Sequence, residues 1–205
     1  MPLLKKINTQ NYTIGIWKVK KSEDEQFIDN HLYPNYHPDF LKFKNSNRKW
    51  QVQAIKLLFK ELSNKNELIS KNGIPYIKEG NKHVSISHTK DIVVLIIANF
   101  PCGIDIEEMV RDATKIKDKF INKKDTYFNG SKREILKIWC MKEVLYKIKK
   151  DPTLLFKEHL HIEKKNIQYL GNCNHPDRNF KCNLEVLNFE NYFLAFNIDY
   201  SMEHL

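Results

Sequence analysis

The segment that decides the fold begins with Gly103-Ile104-Asp105-Ile106-Glu107 and ends with Trp139-Cys140-Met141-Lys142-Glu143-Val144-Leu145-Tyr146-Lys147. The first stretch alternates apolar and acidic side chains, which is typical of a short strand. Residues two apart on a strand point the same way, so both carboxylates share one face while the isoleucines face a core. The second stretch belongs to a helix predicted over 131–150, because apolar side chains recur along it at helical spacing.

The acidic and basic side chains of this segment suggest a site for a metal ion and a phosphate. Asp105, Glu107 and Glu143 offer carboxylate oxygens, and Mg²⁺ takes one or two carboxylates together with phosphate oxygens. Lys142 and Lys147 could neutralise the phosphate. Each part also has an ordinary explanation: Asp-x-Glu fits a solvated edge strand, and Glu143 with Lys147 is a common stabilising pair at a four-residue spacing. The pattern therefore needs support from its surroundings.

Composition places the chain among globular proteins. Its 205 residues are 41% hydrophobic and 12% aromatic, enough for one compact domain or two small halves that share a core. A net charge of +9 is compatible with a polyanionic partner: nucleic acid, a phosphorylated cofactor, an acidic protein or an anionic membrane. No apolar leader is evident, and the four cysteines fit free thiols, so we expect a cytoplasmic protein. The longest apolar run, 92–98, is too short to span a membrane.

The order of predicted elements indicates an α+β fold built from two similar halves, 1–100 and 101–205. The first half combines helices and strands as follows: a strand over 12–19, a capping-box helix over 22–31, a helix over 47–62, and strands over 83–87 and 91–98. The second half repeats this order: a strand over 104–106, helices over 111–121 and 131–150, and strands over 161–169, 181–189 and 192–200. Two such halves would pack as a pseudo-dimer, with the site in the cleft between them.

Two further groups of polar residues are candidates for chemistry. Ser87 and His88 end a predicted strand, where a histidine and hydroxyls could bind phosphate, although a histidine in a turn is usually solvated. They make a poor nucleophilic pair, because adjacent strand residues point apart. Cys173 and His175, with Cys182, suggest a metal loop, but their spacing matches no standard zinc pattern.

Taken together, these motifs resemble those of the 4′-phosphopantetheinyl transferases. The resemblance rests on the Gly-Ile-Asp-Ile-Glu stretch and on the Trp-x-x-Lys-Glu-x-x-x-Lys helix that follows it. Upstream, Asn72-Gly73-Ile74-Pro75-Tyr76 and Val84-Ser85-Ile86-Ser87-His88-Thr89 are similar to the family's Gly-Lys-Pro and Ile-Ser-His-Ser segments. The spacing resembles that of the long, single-chain type, which activates peptide synthetases, and we expect a monomer.

The resemblance implies a function and assigns roles to residues. It implies transfer of the phosphopantetheine arm of coenzyme A to a serine of an acidic acyl or peptidyl carrier protein, with release of adenosine 3′,5′-bisphosphate. Nucleic acid and membranes would then not be partners. If the family's residue roles are carried over to this chain, the ligands of Mg²⁺ are Asp105, Glu107 and Glu143. Glu143 is also the candidate base. Lys142 and Lys147 would neutralise phosphate, Ser87 and His88 would hold the 3′-phosphate, and Arg48 the adenosine end.

One position departs from the family pattern. Ile74 stands where the family has the lysine of Gly-Lys-Pro, so one expected phosphate contact is missing. Lys71, Lys78 or Lys82 could replace it. The three carboxylates of the metal set are all present, so the departure concerns the affinity for coenzyme A.

Two other functions remain open on the sequence alone. A basic nucleic-acid-binding module would explain the charge and the aromatic residues Tyr33, Tyr36, Phe40 and Phe43, but it leaves the acidic face of the strand unexplained. A metal-dependent nuclease commonly has a lysine two residues after the glutamate, whereas Glu107 is followed by Glu108 and Met109.

Overall fold

The computed structural model describes residues 3–19, 46–63, 67–125 and 129–203. The helix predicted over 22–31 and the aromatic residues of the 33–43 segment lie outside these ranges. The strands are β1 (Leu3–Asn8), β2 (Tyr12–Lys18), β3 (Leu68–Lys71), β4 (Ile74–Ile77), β5 (His83–His88), β6 (Ile92–Ala98), β7 (Ile104–Glu108), β8 (Leu160–Lys165), β9 (Gln168–His175), β10 (Arg178–Phe189), β11 (Tyr192–Asn197) and β12 (Ser201–Glu203). The helices are α1 (Ser46–Leu62), α2 (Lys132–Lys149) and the single turn α3 (Phe156–His159).

The first sheet has the strand order β1-β2-β6-β5, and every pair in it is antiparallel. Strand β6 is buried along its whole length because both faces of the sheet are covered. On one face α1 packs Leu58 and Phe59 against Val93 and Leu95. The strand predicted over 91–98 is confirmed.

The second sheet has the order β7-β11-β10-β9-β8, with β12 beside β10. Helix α2 covers one face, where Leu136, Met141 and Leu145 join a core with Phe180 and Phe193. The helix begins where predicted: the Ser131 side chain accepts a hydrogen bond from the Glu134 amide, which satisfies one free N–H of the first turn. It ends at Lys150, whose left-handed conformation (φ 55°) turns the chain away.

The two sheets share a third core. Ile14 and Ile96 of the first sheet pack with Ile104, Leu194 and Phe196 of the second. The architecture is α+β, as predicted. The first half and the second half bury apolar surface on one another, and the two sheets differ in strand number and order. The proposed equivalence of the halves stays a prediction.

Two predicted elements are wrong. The helix expected over 111–121 is only a short 3-10 helix at Thr114–Lys119, because the Asp112 carboxylate accepts hydrogen bonds from the Thr114 amide and hydroxyl and forms a local turn instead. The strand expected over 161–169 is divided between β8 and β9, since Asn166 adopts a positive φ of 57° and closes a hairpin. Strands β1 and β3 were not predicted. Along the described residues, no helix has the length and apolar character required to cross a membrane.

Candidate active site

Strand β7 lies at the edge of the second sheet and carries the two acidic residues of the motif. Ile104 and Ile106 are fully buried in the shared core, as predicted from the alternation. Asp105 on the other face is only 4% exposed, so it does not belong to a solvated edge. A buried carboxylate needs compensating partners, and these partners define the site.

Strand β5, the edge of the first sheet, runs beside β7 and binds it through serine side chains. The Ser87 hydroxyl donates to Asp105 Oδ1 at 2.8 Å and accepts from the Ile106 amide at 3.4 Å. The Ser85 hydroxyl accepts from the Ile104 amide at 3.2 Å. Ser87 and Asp105, which the sequence indicated as separate site candidates, are therefore brought together where the two halves meet.

Helix α2 supplies the cation at Asp105. Lys147 Nζ donates to Asp105 Oδ1 at 2.7 Å and to the Ile104 carbonyl at 2.9 Å. The helix can approach β7 this closely because Gly103 lacks a side chain: a Cβ there would overlap the Val144 carbonyl of α2. The glycine of the motif thus has a packing role, and it sets the distance between the strand carboxylates and the helix.

Negative charge at the site is incompletely balanced. Asp105 Oδ2 is buried and has no hydrogen-bond partner. Burial, with the nearby carboxylates of Asp105 and Glu107, raises the pKa of Glu143 to about 7. Both observations indicate a place where an additional cation would be stabilised, and the oxygen donors are those that Mg²⁺ prefers. The chemistry of these donors, carboxylate oxygens of which one is buried and unpartnered, suits a divalent metal ion.

Glu107 is held by two residues that the sequence analysis did not single out for this role. The indole Nε1 of Trp139 donates to Glu107 Oε1 at 2.9 Å, and Arg111 forms an ion pair with the same oxygen. The Arg111 guanidinium also lies 5.3 Å from the centre of the Trp139 ring. The four-residue spacing of Glu107 and Arg111 was the available sequence signal. The spacing did not predict the pair because Glu107 lies on a strand, and the contact is made in the turn that follows the strand.

The three predicted metal ligands do not form a closed cage in this structure. Among the described residues, one group of potential ligand atoms lies within 4.8 Å of one another, and it comprises Asp151, His175 and Asp177 rather than the carboxylates of the motif. Asp105 and Glu107 are instead paired with Lys147 and Arg111. Binding of a metal at the motif would require these cations to share or release the carboxylate oxygens.

His88 and Arg48 meet at the end of β5. Arg48, on α1, donates through Nη1 to His88 Nε2. Burial and the positive charges of Arg48 and Lys147 lower the pKa of His88 to about 4, so the imidazole is neutral at physiological pH. The turn that follows is fixed by Gln51, whose side-chain amide donates to the Thr89 carbonyl at 2.7 Å.

Lys142 is not brought to this cluster. Its side chain is completely buried on the far side of α2, where Nζ donates to the Phe120 carbonyl and to Asp125 Oδ2 at 2.9 Å. Asp125 also accepts from the amides of Asn122 and Ile162. Lys142 and Asp125 therefore join α2 to the 120–125 loop and β8. The phosphate contact expected of Lys142 finds no support in this geometry.

The cysteines of the suspected metal loop lie in the core. Cys173 and Cys182 are buried, and burial raises the pKa of both, so neither thiol is suited to ligation as a thiolate. His175 binds the Thr153 hydroxyl at 3.1 Å and accepts from the Asp177 amide. These bonds tie the turn after α2 to the β9–β10 hairpin, which gives His175 a structural role.

Two neighbouring cavities lie beside the site. One cavity, of about 360 Å³, is lined by Ser87, His88, Asp105, Glu107 and Arg111, among others. A second, of about 380 Å³, is lined by Trp50, Asp91 and Tyr192. Lys90, Glu108 and Val110 line both cavities, so the two are neighbours.

The comparisons with known proteins agree with the motifs. The chain is similar to the 4′-phosphopantetheinyl transferase gsp of Aneurinibacillus migulanus, with 31% identity over 104 residues. The alignment covers 47% of this chain and 41% of that relative, so the chain matches less than half of the relative's length. No family-level sequence profile matches the chain. The similarity supports a relationship to the 4′-phosphopantetheinyl transferase superfamily.

Proposed function

We propose that the protein transfers 4′-phosphopantetheine from coenzyme A to a serine of an acyl or peptidyl carrier protein and releases adenosine 3′,5′-bisphosphate. The observation that carries the proposal is the cluster at Asp105, where Ser87 of one half and Lys147 of the other share one carboxylate oxygen beside a cleft. The similarity to a phosphopantetheinyl transferase agrees with it.

Mg²⁺ is the metal that this donor set would hold, through Asp105, Glu107 and Glu143. When bound, it would neutralise charge on the pyrophosphate of coenzyme A and polarise the bond that breaks. The unpartnered Asp105 oxygen and the raised pKa of Glu143 support this assignment. Arg111 would then release or share Glu107.

The protein's own residues would align the reactants and move one proton. The partner's serine is the nucleophile, so the chain needs a base rather than a nucleophile of its own. Glu143, as a carboxylate beside the metal, would accept the serine proton directly or through a water molecule. Lys147, anchored on Asp105, would donate to a phosphate oxygen in the transition state.

The single-chain subtype and a monomeric state follow as parts of the proposal. Ser87, His88 and Arg48 come from the first half, while Asp105 and Lys147 come from the second. One chain thus supplies both walls of the cleft, which supports a site that needs no second subunit.

The proposed protein partner is an acidic carrier. The net charge of +9 would attract such a partner and speed docking, and this effect weakens as salt screens the charges. We expect the apparent kcat/KM for the carrier to fall by about tenfold between 50 and 500 mM NaCl.

A transfer assay tests the proposal. The protein is incubated with Mg²⁺, fluorescently labelled coenzyme A and a panel of apo carrier proteins, and label on the carrier is measured. We expect labelling that EDTA abolishes and that falls by at least about 100-fold in Asp105→Ala and Glu143→Ala; Glu79→Ala, which removes an exposed carboxylate, is the matched control. Absence of label on every carrier, combined with micromolar binding of nucleic acid, would contradict the proposal.

A further inference from the structure

The Glu107 carboxylate is held at one of its two oxygens by two donors of different mobility. Its Oε1 accepts a hydrogen bond from the indole Nε1 of Trp139 at 2.9 Å and forms an ion pair with Arg111. Within the described part of the chain, no other hydrogen bond reaches this carboxylate. Because the Glu107 side chain is only 13% exposed, these two contacts replace most of the water that would otherwise solvate its charge.

Trp139 is the fixed donor of the two. Its ring meets Phe120 edge-on, with 5.1 Å between ring centres, and stacks on Phe156 at 5.5 Å. The indole packs against the core that α2 forms with the second sheet. A ring held by neighbours in this way presents its N–H at one place. The indole is also neutral, so it orients the carboxylate without repelling a cation.

Arg111 is the mobile donor. It lies in the turn between β7 and the short 3-10 helix, where its amide donates to the Glu108 carbonyl at 2.9 Å. The side chain is 43% exposed, and its guanidinium lies 5.3 Å from the centre of the Trp139 ring. Contact with an aromatic face stabilises a cation independently of any carboxylate. Arg111 can therefore release Glu107 and keep its contact with Trp139, at little cost to the core.

The other cation at the site is held more firmly. Lys147 is bonded both to Asp105 Oδ1 at 2.7 Å and to the Ile104 carbonyl at 2.9 Å, and its side chain is 24% exposed. Each strand carboxylate is thus matched by one cation. A divalent ion bound at Glu107 would share that carboxylate with the positive charge of Arg111, and the two cations repel one another. Of the two side chains, Arg111 is the one that can move away.

We propose that Trp139 is a positioning residue that keeps Glu107 in place for the metal, and that Arg111 is the counter-ion that leaves Glu107 when the metal binds. The inference rests on the proposed function, in which Glu107 is a ligand of Mg²⁺. Two side chains that do not bind the metal then set its affinity in opposite directions. Trp139 raises the affinity, whereas Arg111 lowers it and neutralises Glu107 in the metal-free protein.

The test measures metal binding to the full-length chain, with Mn²⁺ as the probe, its free concentration followed by electron paramagnetic resonance, and Mg²⁺ as the competitor. Trp139→Phe keeps an aromatic ring but removes the N–H, so both ions should bind about tenfold more weakly. Arg111→Met removes a positive charge, so both should bind about three- to tenfold more tightly.

Two matched variants separate these effects from general perturbation. Arg111→Lys keeps the charge that opposes the metal, and Trp17→Phe alters a ring that packs in the core between α1 and the first sheet. Both variants should bind Mn²⁺ within about twofold of wild type. Urea denaturation of every variant confirms that the binding is measured on folded protein.

The indole N–H of Trp139 can also be followed directly by nuclear magnetic resonance, with its signal assigned by its loss in Trp139→Phe. Addition of Mg²⁺ should shift the signal, because Glu107 gains a new partner. The N–H should nevertheless remain protected from exchange with solvent, because its bond to Glu107 persists. Loss of this protection would show that the indole also releases Glu107, and would overturn its fixed role.

The remaining outcomes are equally decisive. Equal metal affinity in Trp139→Phe and Trp17→Phe would overturn the positioning role, and weaker binding in Arg111→Met would overturn the displacement of Arg111. A protein that labels carriers while its metal affinity ignores both substitutions would contradict this inference alone. A protein that binds metal with the expected responses but labels no carrier would contradict the proposed function and support the inference.

Discussion

Glu143 is the residue whose protonation links the site to stability. Its raised pKa, about 7, exceeds the value near 4.3 of an unfolded chain, so between these values the folded protein holds a proton that the unfolded chain has lost. The stabilisation from that proton is complete below about pH 4.3 and is lost as pH rises through 7. In the metal-free protein the ionised carboxylate of Glu143 therefore costs stability at neutral pH.

Replacing Glu143 tests this cost. In EDTA, Glu143→Gln should increase the free energy of unfolding at pH 8 by about 2–3 kcal/mol relative to wild type, and leave it nearly unchanged at pH 4.5. Urea denaturation at the two pH values measures the difference. Glu79→Gln, at an exposed position, should show no such pH-dependent gain. An equal effect of Glu143→Gln at both pH values would rule out titration as its source.

Lys142 and Lys147 lie on one helix but should respond to substitution in different ways. Lys142→Met leaves Asp125 buried without its cation, so we expect a loss of about 3–5 kcal/mol in unfolding free energy with little change in KM for coenzyme A in the folded fraction. Lys147→Met should instead lower kcat by about 100-fold or more. Urea denaturation and transfer kinetics at 10 °C separate the two. A large rise in KM for folded Lys142→Met would restore the phosphate-binding role predicted from the sequence.

At the scale of elements, the β7–α2 contact determines whether the site residues meet. Gly103→Ala would push α2 away from β7, because the new Cβ meets backbone at Val144, which cannot rotate aside. Gly171→Ala is the matched control, since its Cβ would meet only the side-chain ends of Leu145 and Leu184. We expect losses of about 3 kcal/mol or more for Gly103→Ala and about 1 kcal/mol for Gly171→Ala. Thermal unfolding, with transfer activity measured below the transition, checks this; equal losses would contradict it.

The elements also show where sequence reasoning succeeds. Helix α2 and strand β6 were predicted within one or two residues because their apolar periodicity is strong and agrees with capping or burial. The helix predicted over 111–121 was wrong because one side chain, Asp112, competes with helical hydrogen bonds over a few residues. A weak periodicity is easily overridden by such a local bond.

The site itself was predictable in part. Spacing indicated that Asp105 and Lys147 could meet, and the fold brings them into contact. Spacing did not indicate that Lys142 would turn inward, because helix position alone does not tell which neighbour packs on which face. Asn197 was not predicted for a different reason: its side chain, which accepts a hydrogen bond from the Gly103 amide at 2.8 Å, is distant in sequence and meets β7 only through sheet pairing.

At the scale of the whole molecule, the two halves are joined by a core that neither possesses alone. Ile104, Leu194 and Phe196 of the second sheet are almost completely buried against Ile14 and Ile96 of the first. Separation would expose these side chains to water, and burying one large apolar side chain contributes about 1.5–3 kcal/mol. A domain of about 100 residues typically has a net stability of only 5–15 kcal/mol. The loss is therefore comparable to the whole stability of either half.

Expression of residues 101–205 alone tests this dependence. We expect the fragment to lack a cooperative thermal transition and to bind a hydrophobic dye, because its inner sheet face is uncovered. Addition of the 1–100 fragment should restore a cooperative transition, and under the proposed function also transfer activity, since Ser87 then meets Asp105 again. The matched control is a full-length chain cleaved at an engineered protease site between residues 100 and 101. A second half that unfolds cooperatively by itself would contradict the shared core and would make the cleft an interface between two independent domains.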